Sequence, residues 1–303
     1  MGIIRVAEIC DYENSPWRTE FWRGRDYEDR AERIALARML PRRGARVCEI
    51  GAGFGRLADF YLDYDRVILL DYAVSMLRQA REHLLGDPRL APHAARFVFV
   101  AADLYNLPLA DNALDTALTV RVLHHVADLP RAFGEIARVV RPQGIYLTEF
   151  ANKRHAKAVL RYVLTRRPPN PFTREPYEFV KLNFDFHPRY LAENLRAANF
   201  VVRERRAVSL FRIAALKRIV PANFLAALER WLQVPLAGLD LSPSIFLRTQ
   251  SVKPGAPAIS AALWRCPACG ALDLPETATG LVCPSCGKTY PIVDSIIDFK
   301  SQM

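Results

Sequence analysis

The sequence predicts a doubly wound, Rossmann-like α/β sheet of seven strands with helical insertions, followed by a small cysteine-bearing domain. Three observations support this prediction. Strands and helices alternate over the first half of the chain, a glycine-rich turn follows the first strand, and two CxxC pairs stand near the carboxyl end. Such alternation is typical of a parallel sheet covered by helices on both faces. A length of 303 residues suffices for one large domain and one small one.

The spacing of apolar residues predicts the helices and strands of the first half of the chain. The spacing of apolar residues predicts a helix over 26–40 that stops at Pro41. The strands that follow are continuous apolar runs, which suits strands buried on both faces. They are predicted at 46–50, 66–70, 96–101, 113–120 and 144–150, with helices at 55–63, 74–85 and 129–140 between them.

The pattern changes after Phe150. The later elements are predicted to be a helix and an irregular, proline-bearing segment within 151–186, a helix at 188–198, a strand at 200–211, an amphipathic insertion at 214–236 and a last strand at 244–252. The predicted organisation is therefore a domain over 1–252, a linker over 253–263 and a small domain over 264–303. The first domain is predicted to contain a cap at 1–44, a core at 45–150 and a basic cap at 151–253.

Charge is concentrated in the basic cap. Residues 151–253 contain 19 Lys and Arg against 7 Asp and Glu, a net charge of +12, whereas the segments before and after it are each at −1. Such a local field attracts an acidic partner or substrate to one face. The sequence contains no run of about eighteen apolar residues and no apolar signal-peptide core near its start, so a cytoplasmic protein is expected.

A glycine-rich turn, Gly51-Ala52-Gly53-Phe54-Gly55, follows the first predicted strand. Its glycines allow positive φ angles and the close approach of a ligand. The turn is expected to open a helix whose first amides suit an anionic group.

Acidic residues follow neighbouring strands at the same edge of the predicted sheet. Asp71 ends the second strand, where a carboxylate can accept hydrogen bonds from both ribose hydroxyls of a nucleoside. Asp103 ends the third strand and can receive an adenine amino group, and Glu49 can face an ammonium group across the glycine turn. A nicotinamide dehydrogenase is the alternative, but its fingerprint is GxGxxG, whereas the spacing here is GxGxG.

With the motifs Leu107–Leu109, Asp111–Asp115, Val122–Val126 and Glu135–Gly144, these residues resemble the class I S-adenosylmethionine-dependent methyltransferases, particularly the small-molecule type. The resemblance covers about residues 40–150. It implies a set of cofactor-binding residues: Glu49, Gly51, Ala52, Gly53, Gly55, Asp71, Tyr72, Met76, Asp103, Leu104, Val120 and Arg121.

Methyl transfer from a sulfonium is an in-line displacement, which needs a general base only if the acceptor must lose a proton. His125 and His187 are the candidate bases, and helix-start packing and helix capping are the respective alternatives. Basic and apolar residues of the cap favour a small, anionic or lipid-like acceptor. The alternatives are an RNA (tRNA or rRNA) methyltransferase that uses the basic cap and a predicted zinc ribbon, the small domain over 264–303, or a non-catalytic cofactor-binding scaffold.

Two CxxC pairs, separated by thirteen residues and each followed by glycine, predict a metal site. Their cysteines are Cys266, Cys269, Cys283 and Cys286. Four thiolates in this arrangement are typical of structural Zn²⁺, and a disulfide or redox site is the alternative. The segment 287–299 resembles the small zinc-ribbon activators of methyltransferases that modify tRNA, rRNA and release factors, which implies a protein partner for the ribbon. That family has Asp-Gly-Ile-Pro where this chain has Asp294-Ser295-Ile296-Ile297.

Overall fold

One eleven-stranded sheet and a separate hairpin organise the computed structural model, which describes residues 8–15 and 20–300. The strands are β1 (Gly44–Ile50), β2 (Tyr64–Asp71), β3 (Phe97–Ala101), β4 (Leu114–Thr119), β5 (Val140–Ala151), β6 (Tyr177–Val180), β7 (Asn183–Asp185), β8 (Phe200–Val208), β9 (Ser244–Ser251), β10 (Glu276–Thr277), β11 (Gly280–Val282), β12 (Thr289–Val293) and β13 (Ile296–Asp298). Their order in the large sheet is β10-β11-β12-β13-β3-β2-β1-β4-β5-β9-β8, and β6 pairs with β7.

Seven of these strands, from β3 to β8 in the sheet order, confirm the predicted Rossmann-like sheet. The five from β3 to β5 are parallel, and β9 is antiparallel to both of its neighbours. Ile50 is paired with Leu70, and Leu70 with Val100. Because these strand ends are level, the loops after β1, β2 and β3 leave the sheet side by side.

Helices cover both faces of the sheet. They are α1 (Asp26–Met39), α2 (Val74–Gly86), α3 (Leu129–Val139), α4 (Ala156–Thr165), α5 (Pro188–Ala197), α6 (Ala214–Ile219) and α7 (Ala222–Leu232). Buried residues of α3 and α5 belong to one apolar core, and those of α1, α2 and α7 belong to the other. Neighbouring residues of a strand alternate between the two cores, as Val47 and Cys48 do. In the described residues, no helix has the length and apolar character needed to cross a membrane.

The helix predicted over 55–63 is wrong. Only thirteen residues join β1 to β2, and they form successive turns and one 3₁₀ turn, Ala58–Phe60. Three glycines with positive φ take up the first part of this connection, and Leu57 and Tyr61 are then buried against the sheet. The glycine turn therefore has no long helix behind it.

The region beyond β5 also differs in detail from the prediction. The irregular segment within 151–186 contains the β6–β7 hairpin in addition to the helix α4. The amphipathic insertion is divided at Pro221 into α6 and α7, because proline has no N–H to donate within a continuous helix.

The cysteine-bearing segment extends the large sheet. Strand β13 lies parallel to β3, with Ile296 paired with Phe99 and Ile297 with Val100. The Phe299 amide donates to the Ala101 carbonyl at 2.9 Å. Strand β3 therefore has neighbours on both sides and is not an edge strand.

Candidate functional site

A cavity of about 140 Å³ lies at the carboxyl edge of β1, β2, β3 and β4. Eleven of the predicted cofactor-binding residues line it: Glu49, Gly51, Ala52, Gly53, Asp71, Tyr72, Met76, Asp103, Leu104, Val120 and Arg121. Gly55 does not line it. Residues that sequence reasoning did not assign to the cofactor also contribute, among them Ile9, Cys10 and Tyr12 near the N-terminus and Phe54, Arg56 and Tyr105 in the loops.

The three glycines of the turn have different roles. A Cβ atom at Gly51 would lie 2.3 Å from Val122 Cγ2, and one at Gly55 would lie 3.2 Å from Ala80 Cβ on α2. The absence of a side chain at these two positions lets the backbone pack closely against Val122 and against Ala80 of α2. Gly53 has φ +53° and nothing within 4 Å of a Cβ, so it leaves open space on the cavity wall.

The two strand-end aspartates are held by backbone amides. Asp71 accepts hydrogen bonds from the Gly53 amide at 2.7 Å and the Ala73 amide at 2.9 Å. Asp103 accepts one from the Tyr105 amide at 2.8 Å. Burial raises the pKa of both carboxyl groups. Each carboxylate has lone pairs beyond these amide contacts, which can accept hydroxyl or amino donors.

Glu49 supplies one of the unpaired buried polar atoms among the residues that line the cavity. Its side chain is 3% exposed, and its Oε2 atom has no hydrogen-bond partner. Burial raises the pKa of this carboxyl to about 8. A buried acceptor of this kind beside the open Gly53 position fits the ammonium group of an amino-acid moiety.

An ion network that the sequence did not reveal forms one side of the cavity. Glu32 of α1 is 1% exposed and pairs with both Arg121 and Arg56, the latter at 2.8 Å. The Arg121 amide donates to Glu149 Oε2 at 3.0 Å, and the Arg56 guanidinium lies 4.1 Å above the Trp22 ring. The side chain of Arg121 is therefore committed to Glu32, and the network fixes α1 against the loops after β1 and β4.

The structure separates the two candidate histidines. His125 lines the cavity, with Nδ1 2.9 Å from the Leu182 carbonyl and Nε2 2.8 Å from the Tyr12 hydroxyl. Burial lowers its pKa, and because a carbonyl cannot donate, Nδ1 carries the proton and Nε2 accepts. His187 lies outside the cavity, where its Nδ1 accepts from the Arg189 amide at 3.1 Å and caps α5.

A second cavity, of about 830 Å³, lies in the basic cap beyond β5. Its wall combines cationic side chains with apolar ones: Lys157, Arg161 and Arg212 with Tyr177, Phe179, Leu210, Ile213, Leu236, Leu239 and Leu241. The β6–β7 hairpin links the two cavities, since it lines the second one and its Leu182 carbonyl contacts His125 of the first.

The four cysteines near the carboxyl end converge. Their sulfur atoms all lie within 4.8 Å of one another. Gly270 and Gly287 have positive φ, and their amides donate to the Cys266 and Cys283 carbonyls at 2.8 and 3.0 Å, so the two CxxC turns are equivalent. Four sulfur donors this close suit a tetrahedral zinc ion.

Comparison with known proteins adds the family of the core. Residues 48–148 match the family model described as a methyltransferase domain. Residues 48–148 are therefore the part of the chain that is similar to methyltransferase domains, and the match spans the glycine turn, both strand-end aspartates and most of β5.

The curated relatives of the chain include two methyltransferases whose names state a substrate. A malonyl-[acyl-carrier protein] O-methyltransferase of Pectobacterium atrosepticum is 34% identical over 36% of this chain and 40% of its own length. A demethylmenaquinone methyltransferase of Clavibacter sepedonicus is 27% identical over 66% of this chain and 83% of its own length. The chain spans about two fifths of the length of several of the curated relatives that it matches.

A solved structure shares the fold. A chain from a complex that contains the Haloferax volcanii Trm112 methyltransferase activator has a TM-score of 0.53 and 18% identity. The similarity covers 79% of this chain and 97% of that one. At this identity the similarity concerns the fold alone.

Proposed function

We propose that this chain is an S-adenosylmethionine-dependent methyltransferase whose methyl donor is held in the first cavity. The observation that carries the proposal is the unpartnered Oε2 of Glu49, buried beside the open Gly53 position and at the same sheet edge as Asp71 and Asp103. Glu49 would accept a hydrogen bond from the ammonium group, Asp71 would accept hydrogen bonds from the ribose hydroxyls, and Asp103 would accept one from the adenine amino group. The cofactor supplies an electrophilic methyl carbon when it is bound.

Replacing Asp71 by alanine is expected to weaken binding of S-adenosylmethionine by two orders of magnitude or more, about 3 kcal/mol, because charge-assisted hydrogen bonds are lost in a buried site. Isothermal titration calorimetry measures this change. Asp65→Ala is the matched control, since Asp65 is exposed on the same strand. Equal affinities for the two variants, or no binding to the unmodified protein, would contradict the proposed donor site.

The second cavity is the proposed acceptor site. It follows directly after β5, and cationic and apolar side chains share its wall. These side chains suit an amphiphilic small molecule with an anionic group. His125 is proposed as a positioning residue for the hairpin that lines this cavity, because both of its ring nitrogens already have partners.

Neutralising the cavity cations through Arg161→Gln and Arg212→Gln is expected to raise KM for an anionic amphiphile about tenfold or more, because a charged hydrogen-bond donor contributes about 1.5–3 kcal/mol. The assay measures transfer of a labelled methyl group to fatty acids and isoprenoid quinone precursors. Donor affinity should stay unchanged. Arg189→Gln is the control, since Arg189 is exposed and lies outside the cavity. An unchanged KM in the double variant would exclude this cavity as the acceptor site.

RNA methylation is the second candidate function, because residues 151–253 carry a net charge of +12. The same labelled-donor assay with total RNA distinguishes the two candidates. Methylated RNA together with inactive amphiphiles would favour the RNA methyltransferase.

We also propose that the ribbon binds a structural zinc ion and serves this chain as a built-in activator. In support, β13 extends the sheet at β3, and Asn106 Nδ2 donates to the Pro267 carbonyl at 3.1 Å. The ammonium group of Lys300 lies 4.3 Å from the centre of the Tyr72 ring, which lines the first cavity. The ribbon thus reaches the proposed donor site, and its outer face is available to a protein partner.

A further inference from the structure

Large apolar side chains are exposed mainly in one region of the chain. Among the described residues, eighteen such side chains are exposed, and fourteen of them lie within 156–241, which is under a third of the described chain. Residues of α4, β6 and 236–241 line one cavity, so this part of the chain comes together in space. Large exposed apolar patches often mark sites that bind a protein or a membrane. We call the exposed residues of 156–167, β6, 213–219, α7 and 239–241 the cap surface.

Two helices of the cap surface bury few of their residues within the protein. Ala158 is the only buried residue among the ten of α4, and α6 buries none of its six. Leu160, Val163 and Leu164 point outward from α4, and Leu164 is 72% exposed. Helices this short are marginal in water when tertiary packing does not hold an apolar face. An external partner would therefore stabilise them.

Helix α7 presents a second apolar stripe. Phe224, Leu228 and Trp231 follow helical spacing and are exposed, with Trp231 at 75%. Leu225 and Ala226 on the other side are buried in the core that α7 shares with α1. The stripe is thus additional to what the fold needs.

The cap surface continues to the mouth of the second cavity. Phe179, Ile213, Leu239 and Leu241 are exposed apolar residues that also line that cavity. An apolar partner that covers the cap surface would therefore lie against the opening of the proposed acceptor site.

The charges of the cap surface select the partner. Residues 156–180 include five exposed Lys and Arg against two exposed glutamates, Glu175 and Glu178. Lys157, Arg161, Arg166 and Arg167 are exposed among the apolar side chains of this segment. A second copy of the chain would bring like charges together. RNA is recognised through phosphates and stacked bases, and the aliphatic side chains of α4 and Ile219, which is 82% exposed, offer it no contact.

We infer that the cap surface docks onto an anionic lipid bilayer. Aromatic and aliphatic side chains on one face, flanked by Lys and Arg, are typical of helices that lie in a membrane interface. Negative lipid headgroups attract such basic segments. The attachment is peripheral and brings the mouth of the second cavity to the lipid. It rests on the cap surface alone and holds whether or not the chain transfers methyl groups.

Co-sedimentation with lipid vesicles tests this inference. The unmodified chain should bind vesicles of phosphatidylcholine with phosphatidylglycerol, bind pure phosphatidylcholine weakly, and lose affinity as salt is added. Arg166→Gln with Arg167→Gln should lower the affinity for anionic vesicles by roughly thirtyfold, since each basic residue near the surface contributes about 1 kcal/mol. Arg42→Gln with Arg43→Gln is the matched control, an exposed arginine pair outside the cap surface that should leave binding unchanged.

Variants of the exposed apolar side chains test whether they contribute to vesicle binding. Leu160→Ser with Leu164→Ser, and separately Trp231→Ser on another helix, should each reduce binding several-fold, whereas Leu85→Ser on α2 should not. Circular dichroism and binding of S-adenosylhomocysteine report the fold and the donor site independently. Equal binding by all variants, or binding of total RNA without binding of anionic vesicles, would overturn the inference.

Discussion

Replacing Glu32 by alanine is expected to lower the free energy of unfolding by about 3 kcal/mol, because the change removes the carboxylate paired with the mostly buried Arg121 and leaves Arg56 paired with Asp29 alone. Arg121 and Arg56 are only 10% and 14% exposed in their side chains, and both line the proposed donor cavity. The variant should therefore also weaken binding of S-adenosylmethionine. Urea denaturation and calorimetry measure the two effects.

The matched control for Glu32→Ala is Glu193→Ala on α5. The Arg174–Glu193 pair is about half exposed on both sides, so its loss should cost less than about 1 kcal/mol. A similar loss of stability in the two variants would mean that Glu32 contributes no more than a surface charge.

Acidification gives a second test of the Glu32 network. Although burial acts to raise it, Arg121 and Arg56 hold the pKa of Glu32 below its usual value. The folded state therefore binds this proton less readily than the unfolded state does. The stability that Glu32 contributes is present above the usual glutamate pKa and is lost as pH falls through the folded-state value. The difference in the free energy of unfolding between the unmodified protein and Glu32→Gln should narrow as pH falls from the usual glutamate pKa to the folded-state pKa.

Sequence reasoning could predict the parts of the site that follow directly from strand ends. Asp71 and Asp103 each come one or two residues after a buried apolar run, and parallel strands bring such positions to one edge. Glu32 has no such signal, because its position in α1 does not reveal that two arginines from distant loops converge on it. Tertiary packing alone brings these three residues together.

The hairpin between the two cavities also has no local signature. Leu182 in its turn has φ +55°, a conformation that usually takes glycine or asparagine, so the sequence carries no recognisable turn signal. The pairing of β13 with β3 is equally hidden, since it joins segments almost two hundred residues apart. Both features depend on which surfaces meet after folding and not on local propensity.

Loss of the proposed zinc ion is expected to lower the stability of the protein strongly. Removing zinc with a chelator, or replacing Cys283 by serine, is expected to unfold the ribbon, because structural zinc sites of this kind contribute on the order of 10 kcal/mol. Leu281, Tyr290, Ile297 and Phe299 of the ribbon belong to the same apolar core as β1 and β5. Unfolding would therefore open that core and leave β3 as an edge strand. A lower melting temperature and faster hydrogen exchange at the amides of 97–101 should follow.

A control variant distinguishes loss of the metal from a change in the CxxC turn itself. Ser285→Ala changes an exposed residue between the last two cysteines and should leave one zinc ion per chain and the protection of β3 unchanged. Donor affinity should fall with chelation, because Lys300 contacts Tyr72 at the first cavity. Metal analysis that finds no zinc would contradict the proposed zinc site. Full protection of β3 in Cys283→Ser would show that the pairing of β13 with β3 holds without the ion. The ribbon would then stabilise the sheet through its apolar core alone.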